Sequence, residues 1–201
     1  NVHRTWSSNE KTAMEEALGM SFAGKRALVC MKHVGLNVAA DAFVNSAMTG
    51  ANGGLVVVAA DDPSMHSSQN EQDSRFYGKF ALMPTFEPAD QQEAYDMAKA
   101  AFDLSERFRI PVLMRLTTRM AHSRAVVETG EARAENPLSH PEQPRQWVLM
   151  PGNSRVRYQT LLEDYARLEE ESAVSPFNAY TEGPDKRLGI VACGIAHNYL
   201  M

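Results

Sequence analysis

The chain has 201 residues, 44% of them apolar and 22% charged, which is enough for one generous domain with a real core. A formal charge of -5 excludes the clustered cationic footprint that nucleic-acid phosphates require, and neither a bilayer-spanning apolar run nor a signal-type segment is present. The two cysteines, Cys30 and Cys193, cannot make a disulfide framework or ligate an iron–sulfur cluster. Both lie in apolar stretches, so they are expected as reduced, buried thiols of a cytoplasmic protein. The chain opens on Asn1 and stops at Met201 just after a strand-like run, which leads us to expect a piece of a larger protein.

In chain order, Ala27–Met31 reads as a strand and Leu36–Met48 as a helix closed by Thr49-Gly50. Leu55–Ala60 is solidly apolar, as strands of a covered parallel sheet are. Ala89–Phe108 places Ala94, Met97, Ala98, Ala101, Phe102 and Leu104 on one stripe and so predicts a long amphipathic helix. Pro111–Leu116 is a further strand. This alternation predicts an α/β fold with a doubly wound, mainly parallel sheet over residues 1–125. Residues 126–186 read as a linker, with Pro137, Pro141, Pro144 and Pro151 in an aperiodic stretch, followed by one charged helix, Ser154–Ala173. That helix offers only Val156, Leu161 and Leu168 as an apolar stripe. Leu188–Gly194 within 187–201 is expected to be the first strand and glycine turn of a following, incomplete domain. The helix 36–48, rich in small and apolar residues, suits burial either between packed domains or inside its own domain.

Ligands gather at the carboxyl ends of strands in an open parallel sheet, and three polar segments fall there. Ser7-Ser8-Asn9-Glu10 fits the S-x-x-E capping box, in which Ser7 caps a helix and the glutamate reaches back to the cap. The competing reading makes Glu10 a partly buried carboxylate that trades a proton with a bound heterocycle. Lys32 and His33 sit in the turn between a strand and a helix, where free N–H groups can meet an anion; a surface or structural histidine is the plain alternative. The polar stretch from Asp61 to Arg75 follows a fully apolar strand and reads as a binding loop. In it Arg75 either clamps a carboxylate through a bidentate pair or simply pairs with Glu71 or Asp73. No metal-ligand spacing, nucleophile elbow or phosphate-binding glycine loop is present. Residue chemistry alone therefore ends at an α/β domain with a ligand-facing loop.

Four strings take the argument further: Trp6-Ser-Ser-Asn-Glu-Lys11, Met31-Lys-His-Val-Gly-Leu-Asn-Val-Ala-Ala-Asp41, Ala51-Asn-Gly-Gly-Leu55 and Ala60-Asp-Asp-Pro-Ser-Met-His-Ser-Ser-Gln-Asn-Glu-Gln-Asp-Ser-Arg75. Together they resemble the α subunits of the indolepyruvate:ferredoxin oxidoreductases, within the thiamine-diphosphate-dependent 2-oxoacid:ferredoxin oxidoreductase family. The likeness covers about the first 120 residues, and Gly189–Tyr199 resembles the opening of that family's next domain. The resemblance implies a pyrimidine-binding domain of the thiamine-enzyme type, lacking its first strand and helix. It also implies oxidative decarboxylation of aryl-pyruvates with coenzyme A as acyl acceptor and ferredoxin as electron acceptor.

By resemblance, Glu10 is the catalytic, cofactor-binding glutamate that hydrogen-bonds the pyrimidine ring nitrogen and favours the tautomer that deprotonates the thiazolium carbon. Asn37 belongs with it as cofactor-binding, and Arg75, Lys32 and His33 as substrate-binding; Arg75-Phe-Tyr-Gly78 is similar to an Arg-x-x-Gly stretch whose arginine meets the substrate carboxylate. His66 receives no role. The diphosphate- and magnesium-binding domain and the iron–sulfur region would lie elsewhere, so no metal ligand is assigned in this fragment. Alone it is expected neither to bind the cofactor tightly nor to turn over. The implied partners are a β subunit and ferredoxin, in a homodimer or hetero-oligomer. A non-oxidative thiamine-dependent decarboxylase, another 2-oxoacid oxidoreductase, or a non-catalytic interaction module remain the alternatives.

Overall fold

The computed structural model describes residues 2–201. Its centre is a four-stranded, wholly parallel sheet of order β1-β2-β4-β3, made by β1 (Ala27–Lys32), β2 (Leu55–Asp61), β3 (Thr85–Phe86) and β4 (Val112–Thr117). β2 is buried along its length because β1 and β4 flank it and helices cover it. β1 alternates instead: Ala27, Val29 and Met31 point into the core, while Leu28, Cys30 and Lys32 are exposed.

This corrects the expectation of buried thiols. Cys30 lies on the open face of an edge strand, and Cys193 is exposed as well. Among the described residues no helix is long and apolar enough to cross a membrane.

The helices are α1 (Glu10–Phe22), α2 (His33–Val38), α3 (Ala40–Thr49), α4 (Arg75–Ala81), α5 (Gln91–Phe108), α6 (Thr118–His122), α7 (Pro151–Ala173) and α8 (Ile195–Leu200). The single helix expected over 36–48 is two, because the ladder is interrupted at Ala39, which ends α2 and begins α3. Burial of Ala42, Phe43, Ser46 and Ala47 places α3 in its own domain's core. α3 stops at Gly50, whose φ of +82 suits glycine, and a Cβ there would lie 2.6 Å from the Arg109 carbonyl oxygen.

α5 begins at the cap Asp90, which accepts the Glu93 N–H at 2.8 Å, and buries Met97, Ala101, Leu104 and Phe108. A second stripe of the same helix holds the proline-rich segment, which forms no strand. Gln92 bonds Glu128, the Tyr95 hydroxyl accepts from Gly130 N–H, Asp103 takes Arg133 bidentately, and Glu106 accepts from Asn136. The segment thus crosses the surface on hydrogen bonds rather than on apolar burial.

α7 buries Leu161 and Leu168, but Val156 is exposed. The neighbouring Arg157 turns inward instead and donates to the Met48 carbonyl.

Leu188–Gly194 is not a strand. Among the described residues no backbone ladder receives it, and Leu188, Ile190 and Val191 lie exposed.

Candidate functional site

The carboxyl edge of the sheet is built around two consecutive aspartates, Asp61 at the end of β2 and Asp62 just after it. Asp61 is buried and pairs with buried Arg115 of β4 at 2.5 Å; it also accepts the Ser74 N–H at 2.9 Å and the Ser74 hydroxyl. Arg115 reaches on to Glu87 at 2.5 Å. Burying a guanidinium and a carboxylate is tolerable only because each is paired and hydrogen-bonded.

Asp62 organises the loop that follows. It accepts the N–H groups of His66 and Ser67 at 3.2 and 2.8 Å and the hydroxyls of Ser68 and Thr118 at 2.7 Å each. These bonds, the Ser67 N–H foremost, hold its carboxyl well below the usual carboxylate range. A carboxyl whose native pKa is lowered contributes order that is complete above the unfolded value of about 3.9 and lost as pH falls through the lowered native value. Amide protection at His66 and Ser67 should therefore fade progressively below about pH 4 while the β2 amides remain protected. Hydrogen exchange at stepped pH would show it; if Asp62→Asn leaves loop protection at neutral pH unchanged, Asp62 is not the organiser.

The first turn of α1 differs from the expected capping box. The cap is Asn9, whose Oδ1 accepts the Thr12 N–H at 3.0 Å, whereas Ser7 donates to Glu16 at 2.8 Å. Glu10 is then the first helical residue and does not reach back. It is half-buried, has no hydrogen-bond partner among the described residues, and lies against Gly35 of α2. An unengaged carboxylate beside a residue without a side chain is free to accept a hydrogen bond from a bound group.

Lys32 and His33 close β1 and reach the loop. Lys32 Nζ donates to the Ser67 carbonyl at 3.1 Å, and wholly buried His33 places Nε2 3.0 Å from the Asn70 carbonyl. A carbonyl only accepts, so Nε2 carries a proton, while His33 Nδ1 is buried without a hydrogen-bond partner among the described residues. Exposed Asn37 accepts the Tyr77 hydroxyl at 2.7 Å, tying α2 to α4 two residues beyond Arg75.

Arg75 is held bidentately by Asp73, Nε at 2.9 Å and Nη2 at 2.6 Å, the plainer of its two expected partners. That pair lowers the Asp73 pKa and raises that of the guanidinium. Its Nη1 faces Cys193 Sγ at 3.2 Å and lies 3.7 Å from Glu87. The C-terminal segment thus returns to this edge, where Asn198 also donates to the Ala89 carbonyl at 2.7 Å.

His66 contributes a backbone N–H to Asp62, not a recorded side-chain contact. No cluster of three or more His, Cys, Asp or Glu side chains suited to a metal occurs among the described residues.

Residue reasoning missed Asp61, Asp62, Arg115 and Gly35. Two aspartates closing an apolar strand, and an arginine inside the next one, were the signals available in the sequence.

Comparison with known proteins agrees with this geometry. Residues 3–177 match the family described as pyruvate flavodoxin/ferredoxin oxidoreductase, thiamine diphosphate binding. An indolepyruvate oxidoreductase subunit IorA from Archaeoglobus fulgidus is 49% identical over 96% of this chain and 31% of its own length. The Pyrococcus horikoshii subunit IorA is 46% identical over 99% of this chain and 32% of its own. The chain therefore spans about a third of these curated relatives. A solved 2-oxoglutarate:ferredoxin oxidoreductase from Magnetococcus marinus superposes with a TM-score of 0.59 at 14% identity, over 83% of this chain and 37% of that one, a likeness of fold. A parallel sheet with its polar loop at the carboxyl edge, a family match over most of the chain and near-half identity to curated relatives have one meaning: this chain belongs to the thiamine-diphosphate-binding family of the pyruvate flavodoxin/ferredoxin oxidoreductases.

Proposed function

We propose that the chain forms the pyrimidine-side wall of a thiamine diphosphate site in an enzyme that oxidatively decarboxylates indolepyruvate and related aryl-pyruvates. The products are acyl-coenzyme A and electrons delivered to ferredoxin, with a β subunit and iron–sulfur clusters completing the assembly. The observation that carries the reading is Glu10: a half-buried carboxylate with no partner among the described residues, at the edge where ligands of such sheets collect. The similarity to indolepyruvate oxidoreductase subunits supports the aryl-pyruvate class. When bound, thiamine diphosphate supplies a nucleophilic carbon and a sink for the electrons released with carbon dioxide.

Glu10 accepts or returns a proton at the pyrimidine ring nitrogen. Arg75 would meet the substrate carboxylate through Nη1, displacing the Cys193 thiol that faces it at 3.2 Å, since Asp73 occupies Nε and Nη2. Lys32 keeps two Nζ protons beyond the one given to Ser67 and adds positive charge beside the loop. Buried His33 presents an unpartnered Nδ1, and Asn37 orients α4 through Tyr77.

The reading is tested on the full-length protein with its partner subunit, supplied with indolepyruvate, coenzyme A and a low-potential electron acceptor. Reduction of the acceptor together with acyl-coenzyme A formation is expected. Carbon dioxide and aldehyde released without acceptor reduction would replace this reading by a non-oxidative decarboxylase. Preference for a small aliphatic oxoacid would overturn the aryl-pyruvate assignment.

A further inference from the structure

Gly35 sits inside α2 with no positive φ, so its own backbone does not require glycine. Alanine would be favoured over glycine at a helical position. Yet a Cβ at this position would lie 2.5 Å from Glu10 Cγ, 2.9 Å from Glu10 Oε1 and 3.0 Å from Glu10 Cδ. Those three nearest atoms all belong to one side chain, and no hydrogen bond holds that side chain in place among the described residues.

The Glu10 backbone is fixed by the Asn9 cap, so the carboxylate's direction depends on its χ angles and on what it packs against. We infer that Gly35 is a positioning residue: the bare α-carbon is the seat on which the Glu10 side chain rests, and it aims the carboxylate at the carboxyl edge of the sheet. The inference rests on the reading of Glu10 as the cofactor-activating acid, and it deepens that reading by assigning the steric device that orients it.

The geometry also says where the penalty of a substitution falls. The closest atom is Glu10 Cγ, so the clash is relieved by rotation about χ1, which swings the whole unbonded carboxylate away and leaves helix and sheet in place. Gly35→Ala should therefore preserve the fold and misdirect Glu10. A misplacement of about 1 Å in a reacting group can cost about a hundredfold in rate.

Two measurements on the full-length protein test this. The first is a double-mutant cycle of melting temperatures in the cofactor-free protein, using Gly35→Ala, Glu10→Ala and the double variant. With the Glu10 side chain removed, Gly35→Ala should raise the melting temperature, by more than it does in the native background. Equal destabilisation in both backgrounds would mean that other atoms enforce the glycine, and the inference fails.

The second is exchange of the thiazolium carbon's proton in the cofactor-loaded protein. Slowing by about a hundredfold in Gly35→Ala, alongside slowing in Glu10→Gln, supports the positioning role. Slow exchange in Glu10→Gln with native exchange in Gly35→Ala overturns it and leaves the reading of Glu10 standing. Native exchange in Glu10→Gln removes that reading and the inference with it.

Discussion

Replacing Glu10 with glutamine is expected to slow exchange of the thiazolium carbon's proton in the full-length enzyme by about a hundredfold to ten-thousandfold, the range that a positioned acid–base group supplies. Glutamine keeps the shape of the side chain and a hydrogen-bonding end, but it cannot move a proton. The fold should scarcely notice. The helix cap belongs to Asn9, and Glu10 makes no hydrogen bond within the described residues, so the variant removes no contact that the fold depends on. A melting temperature within about 2–4 °C of the native value, corresponding to about 1 kcal/mol or less, is the accompanying expectation. Normal exchange with a lowered melting temperature would make Glu10 a structural residue and would end its assignment to chemistry. Turnover should fall together with exchange, and kcat should fall more than KM rises, because the lost function lies in activation rather than in substrate contact.

The second large effect concerns stability. Arg115→Met strips Asp61 of its cation while leaving the carboxylate almost wholly buried, with Ser74 as its remaining side-chain partner. Breaking one side of a buried pair costs about 3–5 kcal/mol, more than removing both charges together. Amides of β2 and β4 should therefore lose roughly a hundredfold or more of their hydrogen-exchange protection. The double variant Asp61→Asn, Arg115→Met should recover part of the loss, because Asp61 no longer leaves an unpaired charge buried, while Glu87 keeps Arg75 at 3.7 Å. A single variant that loses less than about 1 kcal/mol would show that the pair is not the lock between these strands. A second consequence reaches the site: Asp61 also fixes Ser74, the residue before Arg75, and Arg115 approaches Asp73 at 3.7 Å. Weakening this network should raise the KM for the oxoacid through a loosened Arg75, beyond any loss of folded protein.

Much of the scaffold was legible because its signals are local. The unbroken apolar run Leu55–Ala60 read as a strand of a covered parallel sheet, and β2 is that strand. The stripe from Ala94 to Leu104 described the buried side of α5. Where local pattern misled, a distant neighbour decided. Cys30 lies in an apolar run, yet it falls on the exposed face of β1 with Leu28 and Lys32. Ser7 and Glu10 satisfy a capping pattern, yet Asn9 is better placed and takes the Thr12 N–H. Leu188–Gly194 has strand composition, but a parallel strand exists only where another strand accepts its hydrogen bonds.

The amino-acid sequence by itself determined the alternation of strands and helices, the polar loop after β2 and, through long matching strings, the family. Those properties are carried by periodicity and residue type along contiguous stretches. Only the tertiary structure decided that Asp61 pairs with Arg115, that Asp62 gathers the loop, and that Glu10 rests on Gly35. Each joins residues from different elements, 54 positions apart for Asp61 and Arg115, and a pattern read along the chain carries no record of distance across it.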